Sequence, residues 1–316
     1  KKLIERPGKS EQAIYNKLEE IVGADMYFTC QLTGREEGVP EVKADRITIL
    51  NALDNHLTIR FKKVLDDPLL HAMAIPPTND ILGDQMKLGQ GMLKINADVI
   101  GVQEVDEKLE RSGKISQVRL LAESMGAADW AFAPSVIGTP GFKWRAVNSN
   151  DVAIVTNDNS HTNDGTDLAG GYGVGIASKV AVKHWDRIDL GRSVIGMPLI
   201  IPTEGKDGKQ KAKPIYVADE PRVALAATLE NGWTVINTHL SFVPFVNLFQ
   251  LRKIKRWAKQ LGKQYGTQVL IIGDLNLPKA IPAIGSSWNS LITQNTYPSW
   301  GAKIQFDYIL SNSLKA

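Results

Sequence analysis

The sequence predicts a mixed α/β domain, and three observations carry that expectation. Short apolar runs of strand length end in polar residues. Helical patterns fall between them. No repeat of 20 to 50 residues organises the 316-residue chain. With 43% hydrophobic and 22% charged residues, the chain has the balance of a globular protein with a sizeable core. Its longest apolar runs, such as 99–102 and 269–272, fall far short of the roughly 20 residues a membrane-crossing helix needs. A net charge of +3 is too even to act alone as a nucleic-acid footprint, so an anionic substrate must be gripped by local geometry. The single Cys30 excludes an internal disulfide and a multi-cysteine zinc site.

In chain order, Ile14, Leu18, Ile21 and Val22 recur at helical spacing after Ser10, predicting a first helix that stops at Gly23. Residues 26–32 and 46–50 read as strands around a polar turn at 33–38, and 66–80, with Pro68, Pro76 and Pro77, as an irregular insertion. A helix over 81–95, a strand over 98–103 and a helix over 116–125 follow. Glycines around 170–179 suggest a hairpin, and the polar stretch 203–213 a surface loop. The last third is the clearest: strands at 223–229 and 233–238 around Glu230-Asn231-Gly232, a helix after Pro244, and strands at 268–272 and 303–310.

Three of these strands deliver polar side chains at their C-terminal ends, where open α/β sheets place ligands. Gln103-Glu104 ends Val99-Ile100-Gly101-Val102. Thr238-His239 ends Val235-Ile236-Asn237. Asp274-Leu275-Asn276 ends Leu270-Ile271-Ile272-Gly273. Asp274 and Asn276, two apart on extended backbone, share a side and can grip one site. Glu104 suits a hard cation such as magnesium, which takes one or two carboxylates beside water and phosphate, and Asn51 can add an amide oxygen. His239 is placed as a proton donor or a partner of phosphate oxygens. The bland alternatives are a turn after a buried strand for Asp274 and Asn276 and a solvated strand-end carboxylate for Glu104.

Gln103-Glu104, Asn237-Thr238-His239-Leu240, Gly273-Asp274-Leu275-Asn276 and Phe306-Asp307-Tyr308-Ile309-Leu310 together resemble, in order and spacing, the signature segments of the endonuclease/exonuclease/phosphatase family. Arg222-Val223-Ala224-Leu225 and 173–178 resemble further family segments. The resemblance implies a four-layered α/β sandwich with two facing mixed sheets flanked by helices. It also implies a magnesium ion, or manganese in its place, held by Glu104 with Asn51 nearby. His239 is then a catalytic histidine at the scissile phosphate, Asp274 and Asn276 position the attacking water, and Asp307 matches an aspartate that orients a second histidine. That histidine belongs to a Ser-Asp-His segment that the family carries downstream and this chain does not reach before Ala316.

The expected organisation is therefore an N-terminal extension over 1–45 and a family domain over 46–316, trimmed at its C-terminus. The expected function is hydrolysis of a phosphate ester, a phosphodiester ahead of a monoester, with nucleic acid, phospholipid head groups and inositol phosphates as substrate classes. The alternative is a non-catalytic binding module on the same scaffold. A nuclease calls for a basic, aromatic-lined groove, for which Lys143, Trp144 and Arg145 are candidates; a lipid enzyme calls for an apolar rim, for which 242–246 are.

Overall fold

The computed structural model describes residues 28–31, 46–53 and 56–63 as backbone, and then 97–159, 170–204, 210–297 and 302–314, with 199–204 and 210–215 again as backbone. The helices expected at 10–22 and 81–95, and the insertion at 66–80, lie outside the described residues.

Two sheets face each other. The first comprises Phe28–Gln31 (β1), Arg46–Leu53 (β2), His56–Lys63 (β3), Val99–Glu107 (β4), Asp129–Thr139 (β5), Lys143–Ala146 (β6), Val155–Thr156 (β7) and Gly171–Ser178 (β8). Its order is β3-β2-β1-β4-β8-β5-β6, with β7 on β5. The second joins Val182–Gly191 (β9), Arg222–Leu229 (β12), Trp233–His239 (β13), Gln268–Asp274 (β14), Asn289–Ser290 (β15) and Asp307–Ser311 (β16) in the order β15-β16-β14-β13-β12-β9. Both sheets mix parallel and antiparallel pairs: β1 runs parallel to β4 and β13 to β14, while most of the other neighbours are antiparallel. Strand β1 falls inside the 1–45 segment yet pairs with both β2 and β4.

The alternation of side chains along the strands builds the layers. In β12, Val223, Leu225, Ala227 and Leu229 point to the first sheet, while Ala224 and Ala226 join the opposite cluster. In β14, Leu270 and Ile272 face inward, and Val269 and Ile271 face the helix Val246–Tyr265 (α2). That helix buries Leu251, Ile254, Ala258 and Leu261, each contributing roughly 1.5–3 kcal/mol if a large apolar chain, less for the alanine. On the far side, Gln117–Met125 (α1) buries Val118, Leu121, Ala122 and Met125 against the first sheet. Ser116 caps α1 by accepting from the Arg119 N–H, and Gly126 ends it in the left-handed region. The result is helix, sheet, sheet, helix: the four layers implied by the resemblance.

The glycines of 170–179 make no hairpin. They form β8, an interior strand paired on both sides. They are small so that neighbours can approach: a Cβ on Gly173 would lie 2.1 Å from the Ala133 carbonyl oxygen, and one on Gly175 2.3 Å from Val118. Nor is the polar stretch 203–213 a bare loop. Met197–Glu204 (β10) and Gln210–Val217 (β11) pair antiparallel from Met197↔Val217 to Glu204↔Gln210. The strand expected over 303–310 begins only at Asp307.

One polar bridge crosses the core. Asn237, fully buried, donates from Nδ2 to the carbonyls of Val102 and Gly175, each at 2.8 Å, and accepts from Gln103 Nε2. It ties β13 to β4 and β8, the strands that present His239 and Glu104. Asn237→Leu strands two carbonyls and a buried amide, so we expect a loss of about 2–4 kcal/mol. Urea denaturation checks this, and an unchanged midpoint would show the bridge to be dispensable.

Candidate active site

The site forms where β4 of one sheet meets β13 and β14 of the other. At Glu104 the ladder between β4 and β8 shifts register, since Gln103 pairs with Val174 and Val105 with Gly173. Glu104 itself takes φ 56°, left-handed for a non-glycine residue. This one-residue bulge re-aims the side chain without ending the strand. The carboxylate is one-fifth exposed, and its Oε1 lies 3.6 Å from His239 Nδ1.

His239 and Asp274 are paired across β13 and β14, so the parallel ladder sets their side chains beside each other, with Nε2 3.9 Å from Asp274 Oδ2. Asn276, also left-handed at φ 47°, turns back over them. Its backbone N–H donates to Asp274 Oδ1 at 2.8 Å, and its Nδ2 donates to the Leu240 carbonyl at 2.8 Å while lying 3.2 Å from His239 Nε2. Asn247, at the start of α2, donates to the Asn276 carbonyl, and the buried Tyr308 hydroxyl donates to Leu277. The turn carrying Asn276 is thus held from two directions. Asp307 opens β16 directly opposite Asp274 and is buried.

These neighbours set the protonation states. Arg222, the first residue of β12, brings its guanidinium to 3.2 Å from His239 Nδ1. Burial, then the Arg222 charge, hold the imidazole well below its usual range despite the nearby carboxylates. His239 is therefore neutral, with the Arg222 guanidinium facing Nδ1 and the Asn276 amide facing Nε2. Asp274 moves the other way: burial first, then the adjacent Asp307 carboxylate, raise it well above the usual carboxylate range, against the lowering effect of the Asn276 N–H. Its Oδ1 is engaged by that N–H, which leaves Oδ2 turned toward His239.

Glu104, His239, Asp274, Asn276 and Asp307 are therefore brought together. Asn51 is not brought to Glu104 by the strand pairing: Leu50 pairs with Val99 at the start of β4, the end away from Glu104. Its side chain lies outside the described residues. Four neighbours had no role assigned from the sequence. Arg222 opened a segment singled out only by resemblance. Tyr172 sits in the glycine run, its hydroxyl pushed well up by burial and by the Glu104 and Glu220 carboxylates. Arg111 lies 5.5 Å from the Tyr172 ring centre while donating from Nη2 and Nε to the two carboxylate oxygens of Asp106 at 2.7 and 2.8 Å. Asp219 accepts from Ser241 Oγ at 2.8 Å and lies 3.7 Å from Arg222, backing that guanidinium.

The donors of Glu104, Asp274 and Asp307 are carboxylate oxygens, crowded enough that the Asp307 and Glu104 charges both raise Asp274. That chemistry fits a hard divalent cation. Among the described residues no three His, Cys, Asp or Glu side chains converge on one point, so a cation here would rest on one or two carboxylates, with Glu104 the more accessible.

The family model described as endonuclease/exonuclease/phosphatase matches residues 80–315. Among solved structures the chain is similar to a mannosyl-6-phosphatase of Bacteroides thetaiotaomicron, at 11% identity over 74% of this chain and 78% of that one, TM-score 0.43. It is also similar to a humanized D. rerio TDP2, at 13% identity over 76% and 80%, TM-score 0.42, and to the human Nocturnin catalytic domain, at 12% over 72% and 74%, TM-score 0.40. No curated protein matches the sequence. The family model runs through β4, β13, β14 and β16, the strands that carry the clustered residues, and the chain belongs to the endonuclease/exonuclease/phosphatase family.

Proposed function

We propose that the chain hydrolyses a phosphodiester by direct attack of water. The observation that supports this most is the meeting of Glu104 with His239, Asp274 and Asn276, residues more than 130 positions apart, at the facing ends of two sheets. Members of this family generally depend on a divalent cation. Here Glu104 would hold it, magnesium or manganese, and when bound it supplies positive charge to the phosphate oxygens.

Asp274, made more basic by burial and by Asp307, takes the proton of the attacking water through Oδ2, while Asn276 fixes the carboxylate from the other oxygen. The water oxygen bonds to phosphorus as the opposite P–O bond breaks. Neutral His239 hydrogen-bonds a non-bridging oxygen, and Arg222 beside it adds the charge that grows favourable as those oxygens become more negative. The leaving oxygen takes its proton from solvent, and the products are a phosphate monoester and an alcohol. Residues 46–316 would form the catalytic domain, with β1 supplied by the preceding segment.

The test is hydrolysis of bis-p-nitrophenyl phosphate with magnesium or manganese, beside Glu104→Gln and a chelator. Turnover should require the cation, vanish with the chelator and fall about 10²-fold or more in Glu104→Gln. The variant should also lose the shift in melting temperature that added cation gives the parent. Turnover indifferent to chelator and to Glu104→Gln would overturn the reading, and cation binding with no turnover would favour the binding module.

A further inference from the structure

The two ends of the sandwich differ in their surfaces. At the end away from the site, the turns at 126–128, 179–181, 230–232 and 266–267 expose no large apolar side chain among the described residues. The segments leaving the catalytic end do so repeatedly. Phe142, at the tip between β5 and β6, is 89% exposed, and Val194, after β9, is 98% exposed with Ile195 beside it. Phe245, after β13, is 72% exposed, with Phe249 one turn along α2, and Ile284 follows β14. Strand register places all these segments at one level: Thr139 ends β5 beyond the Tyr172 pairing, Gly191 pairs with Arg222, and β13 and β14 end at His239 and Asp274.

Phe245 adds a conformational observation. It precedes α2 at φ 68°, ψ −39°, strained for a residue with a side chain, and offers no side-chain cap to the helix. Strain that points an aromatic ring at water finds no return inside the chain. Cationic groups stand among these residues: Arg192 lies 5.3 Å over the Trp144 ring, and Arg252, near the start of α2, lies 5.7 Å over Phe249.

We propose that this end docks on an anionic phospholipid bilayer, so that the phosphodiester cleaved is that of a lipid at the interface; the substrate assignment rests on the proposed function, and the docking does not. Loop-tip apolar residues inserted at the headgroup boundary lose their exposure to water, and the basic groups behind them meet the anionic surface. A single-stranded nucleic acid suits the surface less well. Base stacking needs ring faces, and Val194, Ile195 and Ile284 have none.

The experiment is flotation of the full chain with vesicles of phosphatidylcholine alone and of equal parts phosphatidylcholine and phosphatidylserine. A single-stranded oligonucleotide serves as the rival ligand. The chain should float with the anionic vesicles and release at high salt, and Phe142→Ser with Phe249→Ser should weaken this about tenfold per residue. The double variant should keep the parent's melting temperature and turnover of bis-p-nitrophenyl phosphate. Failure of the parent to float, flotation undiminished in the variant, or oligonucleotide binding without flotation would overturn the proposal. Flotation that depends on Phe142 and Phe249 in a chain without turnover would instead leave the docking surface standing and remove the phosphohydrolase.

Discussion

Asp274→Asn is expected to lower phosphodiester turnover about 10³-fold while leaving the chain at least as resistant to heat as the parent at neutral pH. The two effects come from one environment. Asp274 is buried and faces Asp307, so its carboxyl holds a proton to higher pH in the folded chain than in the unfolded one. Between the ordinary carboxylate value and that raised one, the folded state binds more protons than the unfolded state. Stability from this group therefore falls as pH rises through the window, and above it the ionised carboxylate is a standing destabilisation. Asparagine removes the charge at nearly the same size and can still accept the Asn276 N–H, so the cost disappears with the base. Turnover with magnesium or manganese, and thermal melting in cation-free buffer from pH 4 to neutrality, read the two separately. A variant that melts well below the parent would make Asp274 a structural residue, and one that keeps its turnover would remove the carboxylate from the reaction.

What the sequence revealed of this site follows from where each constraint is local. Asp274 and Asn276 were legible because two polar residues at spacing two, straight after a buried strand and a glycine, carry their geometry with them. His239 and Glu104 were legible as polar residues ending apolar strands. Arg222 was not legible as a site residue, because its place depends on the β12–β13 pairing that brings it back to His239, 17 positions on. Tyr172 was hidden by glycines that read as a hairpin and in fact allow two strands to close on β8. Strand β9, with Lys183, His184, Asp186, Arg187 and Asp189 in ten residues, shows little apolar alternation, since it lies at the edge of its sheet and buries little. Strands β10 and β11 escaped for another reason: Pro198, Pro202 and Pro214 and the polar residues at 203–213 interrupt the strand pattern, and only the pairing of the two reveals it.

Gly273→Ala is expected to be the most damaging single-methyl change in the described core, at about 4 kcal/mol or more. Gly273 takes φ 129°, a conformation that side chains disfavour. A Cβ there would sit 1.9 Å from the carbonyl oxygen of Thr238 and 3.1 Å from its nitrogen. Both obstacles are backbone atoms of the paired strand, so no rotamer relieves them, and β14 must move away from β13 at the step before Asp274 faces His239. Any molecule that still folds should therefore lose turnover through misplacement of that pair. Gly126→Ala separates strain from collision: Gly126 is also left-handed, at φ 68°, but a Cβ there meets nothing within 4 Å, so only about 1 kcal/mol should be lost. Chemical denaturation of both variants measures the difference. Equal losses would mean that β13 and β14 are not held together as tightly as their shared role at the site requires.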